Sequence, residues 1–250
     1  MKIRWLAILF VAVFVVSCGQ SEAPKDTSRN DKSIVVEPAP PAVPVQGTGT
    51  IVGEVKFAGV PPAAKRLAVN KDKEVCGEFK DSEELVVGPN KGVKWAAVSL
   101  KASPMDMRWE GTTLDQEGCR FSPHVRLIPA GSKLIILNPD GVLHNFHTYS
   151  EINPVINKAQ PKFKKEMEVT FEKPERFRIG CDAHSWMSGW IVVIDHPFYA
   201  VTDENGSFRF EVVPAGKHVL EIWHETLGEL VAEVEVKAGE TTKVLYEMKK

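Results

Sequence analysis

The chain has 250 residues, 43% of them hydrophobic and 26% charged, which is enough for one large or two ordinary domains with real cores and excludes collagen-like, wholly disordered and disulfide-dense miniprotein classes. With 31 Lys and Arg against 33 Asp and Glu, the formal net charge of -2 leaves no basic excess of the kind that phosphates demand, so no nucleic-acid partner is expected. Four cysteines are too few for a disulfide framework but enough for one staple and special roles.

The chain opens with Lys2 and Arg4, then an unbroken apolar run from Trp5 to Val16, then Ser17-Cys18. That run is too short for a bilayer core of ~30 Å, which takes ~20 helical residues, so residues 1–17 read as a signal peptide. Val15-Val16-Ser17-Cys18 is similar to a bacterial lipobox, in which cleavage precedes a lipidated cysteine. Cys18 is therefore the expected lipid anchor; several acyl chains at ~0.8 kcal/mol per buried CH2 would make it effectively permanent. Gly19 follows rather than Asp, so the expected location is the periplasmic face of a bacterial membrane, the outer one. Residues 18–48 carry Pro24, Pro38, Pro40, Pro41 and Pro44 and no aromatic residue. Such a stretch cannot bury enough apolar surface to offset its ordering entropy and reads as a disordered tether with a reach of roughly 30 Å.

From Gly49 onward the pattern is β. Met167, Val169 and Phe171 share one face while Glu166, Glu168 and Thr170 share the other. The same alternation marks Phe177/Ile179, Phe208/Phe210 and Val244/Tyr246/Met248. Turn signals separate these runs at Pro129-Ala130-Gly131, Asn138-Pro139-Asp140-Gly141, Asp203-Glu204-Asn205-Gly206 and Pro214-Ala215-Gly216. The fold class predicted is all-β, built of β-sandwiches.

The chemistry concentrates between residues 119 and 190. One more step along the Phe177/Ile179 alternation puts Cys181 on the inward face at a strand end. It opens Cys181-Asp182-Ala183-His184-Ser185-Trp186-Met187, a Cys-x2-His-x2-Met loop, before the apolar strand Trp190 to Ile194. Upstream, the strand Lys133 to Asn138 leads through a turn into His144-Asn145-Phe146-His147. A thiolate, a thioether and at least one imidazole on strand ends are the donors of a blue-copper site, and soft sulfur ligands select copper; zinc seldom recruits Met. His124 reads as a sheet histidine, and His196, His218 and His224 have no ligand spacing.

The segment from about Cys119 to Ile194 resembles a cupredoxin of the amicyanin and plastocyanin type, with the short Cys-x2-His-x2-Met loop and the His-Asn-x-His motif matching amicyanin. The resemblance implies a Greek-key β-sandwich over residues 104–195. It also implies one type 1 copper ion bound by His144, Cys181, His184 and Met187, and an Asn145 that ties the two ligand loops together. His147 matches the motif's second histidine, which is not a ligand in that family. The chain departs from it where amicyanin-type loops carry prolines, having Ala183 and Ser185 there.

Gly49-Thr50-Ile51-Val52-Gly53-Glu54-Val55 followed by Trp95-Ala96-Ala97-Val98-Ser99-Leu100, and more strongly Ala200 to Phe210 with Val213-Pro214-Ala215-Gly216, are similar to carboxypeptidase regulatory-like domains. That resemblance implies a smaller transthyretin-like β-sandwich in two halves, 49–103 and 196–250, interrupted by the cupredoxin. The alternative organisation gives residues 49–118 to the cupredoxin as extra strands.

With Cys18 lipidated and Cys181 on copper, Cys76 and Cys119 remain as a pair in an oxidising compartment and are expected to form a disulfide. The competing reading joins Cys119 and His124 in a second metal site. Extra His-x-His pairs, a second bridging cysteine and Cys-x2-Cys are all absent from the sequence, so the expectation is an electron carrier and not an enzyme. Its partners would be a protein electron donor and acceptor and the membrane, with no small-molecule substrate. The alternative is a non-redox copper-binding or cell-surface module. The Cys181 thiolate is expected to be shielded and His184 to expose an imidazole edge within a rim of Phe146, Trp186, Met187 and Trp190. Such a rim suits weak redox docking.

Overall fold

The computed structural model describes residues 47–250; the expected signal peptide, Cys18 and nearly all of the expected tether lie outside them. The chain enters as β1 (Thr48–Phe57), forms β2 (Arg66–Ala68) and β3 (Phe79–Asp81) on either side of the single helical turn α1 (Lys73–Cys76), and continues as β4 (Ala97–Leu100). The middle supplies β5 (Thr112–Leu114), β6 (Val125–Pro129), β7 (Lys133–Leu137), β8 (His144–Thr148), β9 (Asn157–Gln160), β10 (Glu166–Thr170), β11 (Glu175–Gly180) and β12 (Ser188–Ile194). The tail supplies β13 (Tyr199–Val201), β14 (Ser207–Pro214), β15 (Gly216–His224), β16 (Gly228–Val236) and β17 (Thr241–Met248). The protein is all-β, in several sheets.

Two sheets enclose the first core. One has the order β10-β7-β5 and the other β6-β12-β11-β8-β9. The alternating residues meet between them: Met167 and Val169 from β10, Leu134 and Ile136 from β7, Phe177 and Ile179 from β11, and Ile191 and Val193 from β12. Each such side chain taken out of water contributes about 1.5–3 kcal/mol, and this inward face fixes strand register, because a slip of one residue would expose all of it.

A second core lies between the sheet β14-β1-β17 and the sheet β13-β4-β15-β16. Strands from both ends of the chain share these sheets: β1 runs antiparallel to β14 and parallel to β17, and β4 pairs with β13 and β15. Gly53 in β1 sits against the Phe208 ring, where an added Cβ would come within 2.1 Å; only glycine permits that approach. Leu67, Val69 and Cys76, which the sequence reading puts in the first half of the flanking sandwich, pack instead on the core of the middle segment.

A third apolar cluster joins the two sandwiches. Ala97, Val125, Val192 and Ile194 are buried there with Trp190, Trp223 and Tyr199 around them. Strand β12 therefore serves two cores, with Ile191 and Val193 facing one and Val192 and Ile194 the other. This explains an apolar run without alternation, the pattern of a strand covered on both faces.

Candidate metal centre

The centre is built where β8 begins and β11 ends. Gly180 of β11 pairs with His147 of β8, which brings the residues just beyond Gly180 beside His144 and Asn145. Two-residue alternation sends His144 and Phe146 inward, both fully buried, and leaves His147 partly exposed. After β11 the chain tightens: the His184 N–H donates to the Cys181 carbonyl at 3.3 Å, the Met187 N–H to the His184 carbonyl at 3.0 Å, and the Cys181 N–H to the Met187 carbonyl at 3.3 Å. Cys181 and Met187 are thus held at the two feet of one turn, both buried.

The donors converge. His144 Nδ1 lies 3.1 Å from His184 Nδ1, and Cys181 Sγ lies 3.7 Å from His184 Nδ1. These three atoms fall within 4.8 Å of one another, and all three side chains are buried. Asn145 stitches the arrangement together. Its backbone N–H donates to Cys181 Sγ at 3.3 Å, its side-chain Oδ1 accepts the Asp182 N–H at 3.2 Å, and its side-chain Nδ2 donates to Asn157 Oδ1 at 2.7 Å.

The outer nitrogen of each imidazole meets a carboxylate. His144 Nε2 is 2.9 Å from Asp140 Oδ2, and His184 Nε2 is 2.9 Å from Asp72 Oδ2. A carboxylate only accepts, so each Nε2 carries a proton, and in a neutral ring this leaves the Nδ1 lone pair turned inward. Two ring nitrogens and a sulfur facing one another form a donor set that could hold a metal ion. Burial lowers the His144 pKa, against the hydrogen bond to Asp140, which keeps that imidazole neutral and free to donate its lone pair. Burial raises the Cys181 pKa, against the N–H groups of Asn145, Ala183 and His184 that point at the sulfur. A metal binding there would have to displace that thiol proton. Two imidazoles and one thiolate fit copper or zinc; the buried thioether of Met187 on the same turn favours copper.

Two expectations are corrected. His184 is fully buried and exposes no imidazole edge, because the turn before α1 carries Asp72 over it. Phe146, Trp186 and Met187 are buried as well and form no rim; Trp190 faces the seam, its ring 4.7 Å from that of Trp223. The other histidines sit elsewhere. His147 turns away to Asp182 Oδ1 at 3.0 Å, and His124 pairs through Nε2 with Glu225. His196 Nδ1 accepts the Phe198 N–H, His218 Nε2 contacts the Pro214 carbonyl and His224 Nδ1 accepts the Thr226 N–H. Cys76 and Cys119 are joined as a disulfide with Cα atoms 5.3 Å apart. With Cys119 so bonded and His124 on Glu225, the competing second metal site is not formed.

Asp72 and Asp140 are the two residues the sequence reading missed. Asp140 left a trace, a turn aspartate four residues ahead of the strand histidine. Asp72 left none, being 112 positions from its partner.

No protein-family profile and no curated protein matches the chain. Among solved structures, it is similar to the Cu-containing nitrite reductase NirK from Thermus scotoductus SA-01, with 22% identity over 40% of this chain and 26% of that one, at a TM-score of 0.31. It is also similar to a purple cupredoxin from Nitrosopumilus maritimus, with 22% identity over 33% of this chain and 99% of that one, at 0.29. A third is amicyanin from Paracoccus versutus, with 17% identity over 39% of this chain and 97% of that one, at 0.31. The chain thus spans about a quarter of the length of the nitrite reductase, and less than half of it is covered by any of the three. At such scores, what the protein does has to follow from its own residues.

Proposed function

We propose that the protein would hold one copper ion through His144 Nδ1, His184 Nδ1 and Cys181 Sγ, with the Met187 thioether as a further weak ligand, and carry single electrons between protein partners outside the cytoplasm. The reading includes a lipid anchor at Cys18 on the periplasmic face of a bacterial outer membrane. It treats the molecule as a carrier and not an enzyme, with no small-molecule substrate and no nucleic acid. The observation that carries it is the inward-facing pair of imidazole lone pairs beside a buried cysteine, with both outer nitrogens already committed to carboxylates.

A bound copper ion would supply the one-electron change between Cu(II) and Cu(I). The chain's contribution is geometry. Asn145 locks the Cys181 turn to the His144 strand, so the donors cannot drift apart when charge changes, and the surrounding core keeps water from the sulfur.

Titration of the metal-free protein with Cu(II), followed by visible absorption, tests this. An intense band from the Cys181 thiolate is expected at one equivalent, lost in Cys181→Ser and nearly unchanged in His147→Ala. Met187→Gln should keep copper and lower the potential. A colourless parent, or a band that survives Cys181→Ser, would sink the ligand assignment. A second reading, copper holding without electron turnover, is favoured by one observation: Asp72 closes the His184 edge. Stopped-flow exchange with a one-electron haem protein separates the two, since a holding module exchanges no electrons on the mixing timescale.

A further inference from the structure

We propose that Asp72 and Asp140 are positioning residues for the copper site, and that the Cys76–Cys119 disulfide holds both carboxylates in place. The proposal rests on the reading of His144, Cys181 and His184 as ligands.

The two carboxylates reach the site from separate parts of the chain, yet one covalent link lies next to both. Asp72 sits in the left-handed region, with φ 49° and ψ 40°, which a short polar side chain tolerates at a turn. Its carbonyl accepts the N–H groups of Val75 at 3.0 Å and Cys76 at 2.8 Å, so its place is set by Cys76. Cys76 is buried in the core of the middle sandwich and bonded to Cys119. On the other side of that bond, the Cys119 N–H donates to Asp140 Oδ2 at 2.7 Å and the Gly118 N–H to Asp140 Oδ1 at 2.8 Å. The same Oδ2 accepts from His144 Nε2. The Cys119 carbonyl accepts the Trp186 indole N–H at 3.2 Å, and the Trp186 ring lies 4.9 Å from that of His184.

Three consequences follow from this chemistry. Each carboxylate holds its imidazole in the Nε2–H form, which presents Nδ1 to the metal. Each adds negative charge close to a ligand, which favours Cu(II) over Cu(I) and lowers the reduction potential. Asp72 also bars His184 from swinging outward. Its own side chain is 30% exposed, against 8% for Asp140, so of the two it is the one that can be altered with the least disturbance of packing.

The test compares the full chain with Asp72→Asn, Asp72→Ala, Asp140→Asn, Asp140→Ala and the double variant Cys76→Ser/Cys119→Ser. Asparagine keeps an acceptor oxygen and removes the charge, so the Asn variants should lose about tenfold more affinity for Cu(II) than for Cu(I). That is a rise in potential of about 60 mV for one electron. The Ala variants should lose about 10–100-fold in Cu(II) affinity, measured by chelator competition. In the metal-free protein, nitrogen-15 spectra of the histidines should show His184 leaving the pure Nε2–H form in Asp72→Ala and His144 doing so in Asp140→Ala. Both changes should appear together in the double cysteine variant. If the four aspartate variants keep the parent's affinity, potential and tautomers, the carboxylates merely pack against the site and the proposal fails while the copper reading stands. If the parent binds no Cu(II), the ligand assignment fails; the metal-free tautomers still report whether Asp72 and Asp140 hold the imidazoles. Unmoved tautomers in the cysteine variant would remove the disulfide from the proposal.

Discussion

Glu175 is where a single side chain organises a loop. Its carboxylate accepts the Ser150 hydroxyl at 2.6 Å, the N–H groups of Glu151, Ile152 and Asn153, and the Asn153 amide. These bonds pin the turn that follows β8, the strand that carries His144. Burial by itself would raise the Glu175 pKa, but the hydrogen bonds from Ser150, Asn153 and Glu151 outweigh it and pull the value down to about 2. A folded-state pKa below the unfolded one contributes stability that is present above the unfolded value of 4.5 and is lost as pH falls through about 2. Glu175→Gln should therefore be less stable than the parent in urea at pH 7, with the gap closing between pH 4.5 and 2. A gap that does not change with pH would show that the loop is held by shape and not by the charge. Nothing in the local sequence announces this role, since Glu175 is one acid among many until the turn is folded against it.

At the scale of an element, the β15–β16 hairpin reaches from one sandwich to the other. Glu225, just past β15, contacts His124 and accepts the Trp190 indole N–H at 2.9 Å, while the neighbouring His224 is buried. Burial lowers the His224 pKa to about 4, with Glu225 opposing the shift. Here the unfolded chain binds a proton that the folded one refuses. Stability is complete above about pH 6.5 and falls by roughly 3 kcal/mol as pH drops to about 4. His224→Asn should flatten the pH dependence of the unfolding free energy across that window. An unchanged slope would assign the acid loss to other groups. The sequence marked His224 only as lacking ligand spacing; its burial under the hairpin end is a tertiary fact.

Across the whole molecule, the seam decides whether the two sandwiches melt together. Ala97, Val125, Val192 and Ile194 close it, with the Trp190 and Trp223 rings edge to face. The Arg176 guanidinium lies 4.3 Å from the Trp223 ring centre and pairs with Glu229 at 2.6 Å. Because β12 and β4 each present alternate residues to the seam and to a sandwich core, loss of the seam disturbs both cores. The parent should unfold in one calorimetric transition. Val192→Asp puts an unpaired carboxylate into that seam and should cost several kcal/mol and split the melt into two transitions. A single transition in that variant would mean that each sandwich is stable independently of the seam.

The sequence by itself determined what is settled by neighbours along the chain. Period-two alternation identified the inward faces of β10, β11 and β14, because successive strand side chains must point to opposite sides. The Cys181-x2-His184-x2-Met187 spacing put three donor residues on one turn for an equally local reason, and the His144-Asn145 pair was legible as a strand-end motif. Tertiary structure alone decided the rest: that Asp72 covers His184, that the disulfide touches both carboxylate carriers, and that β12 is buried on both faces. Alternation and apolar runs report that a face is buried but not against what. A contact between residues 112 positions apart exists only once packed sheets bring those residues together.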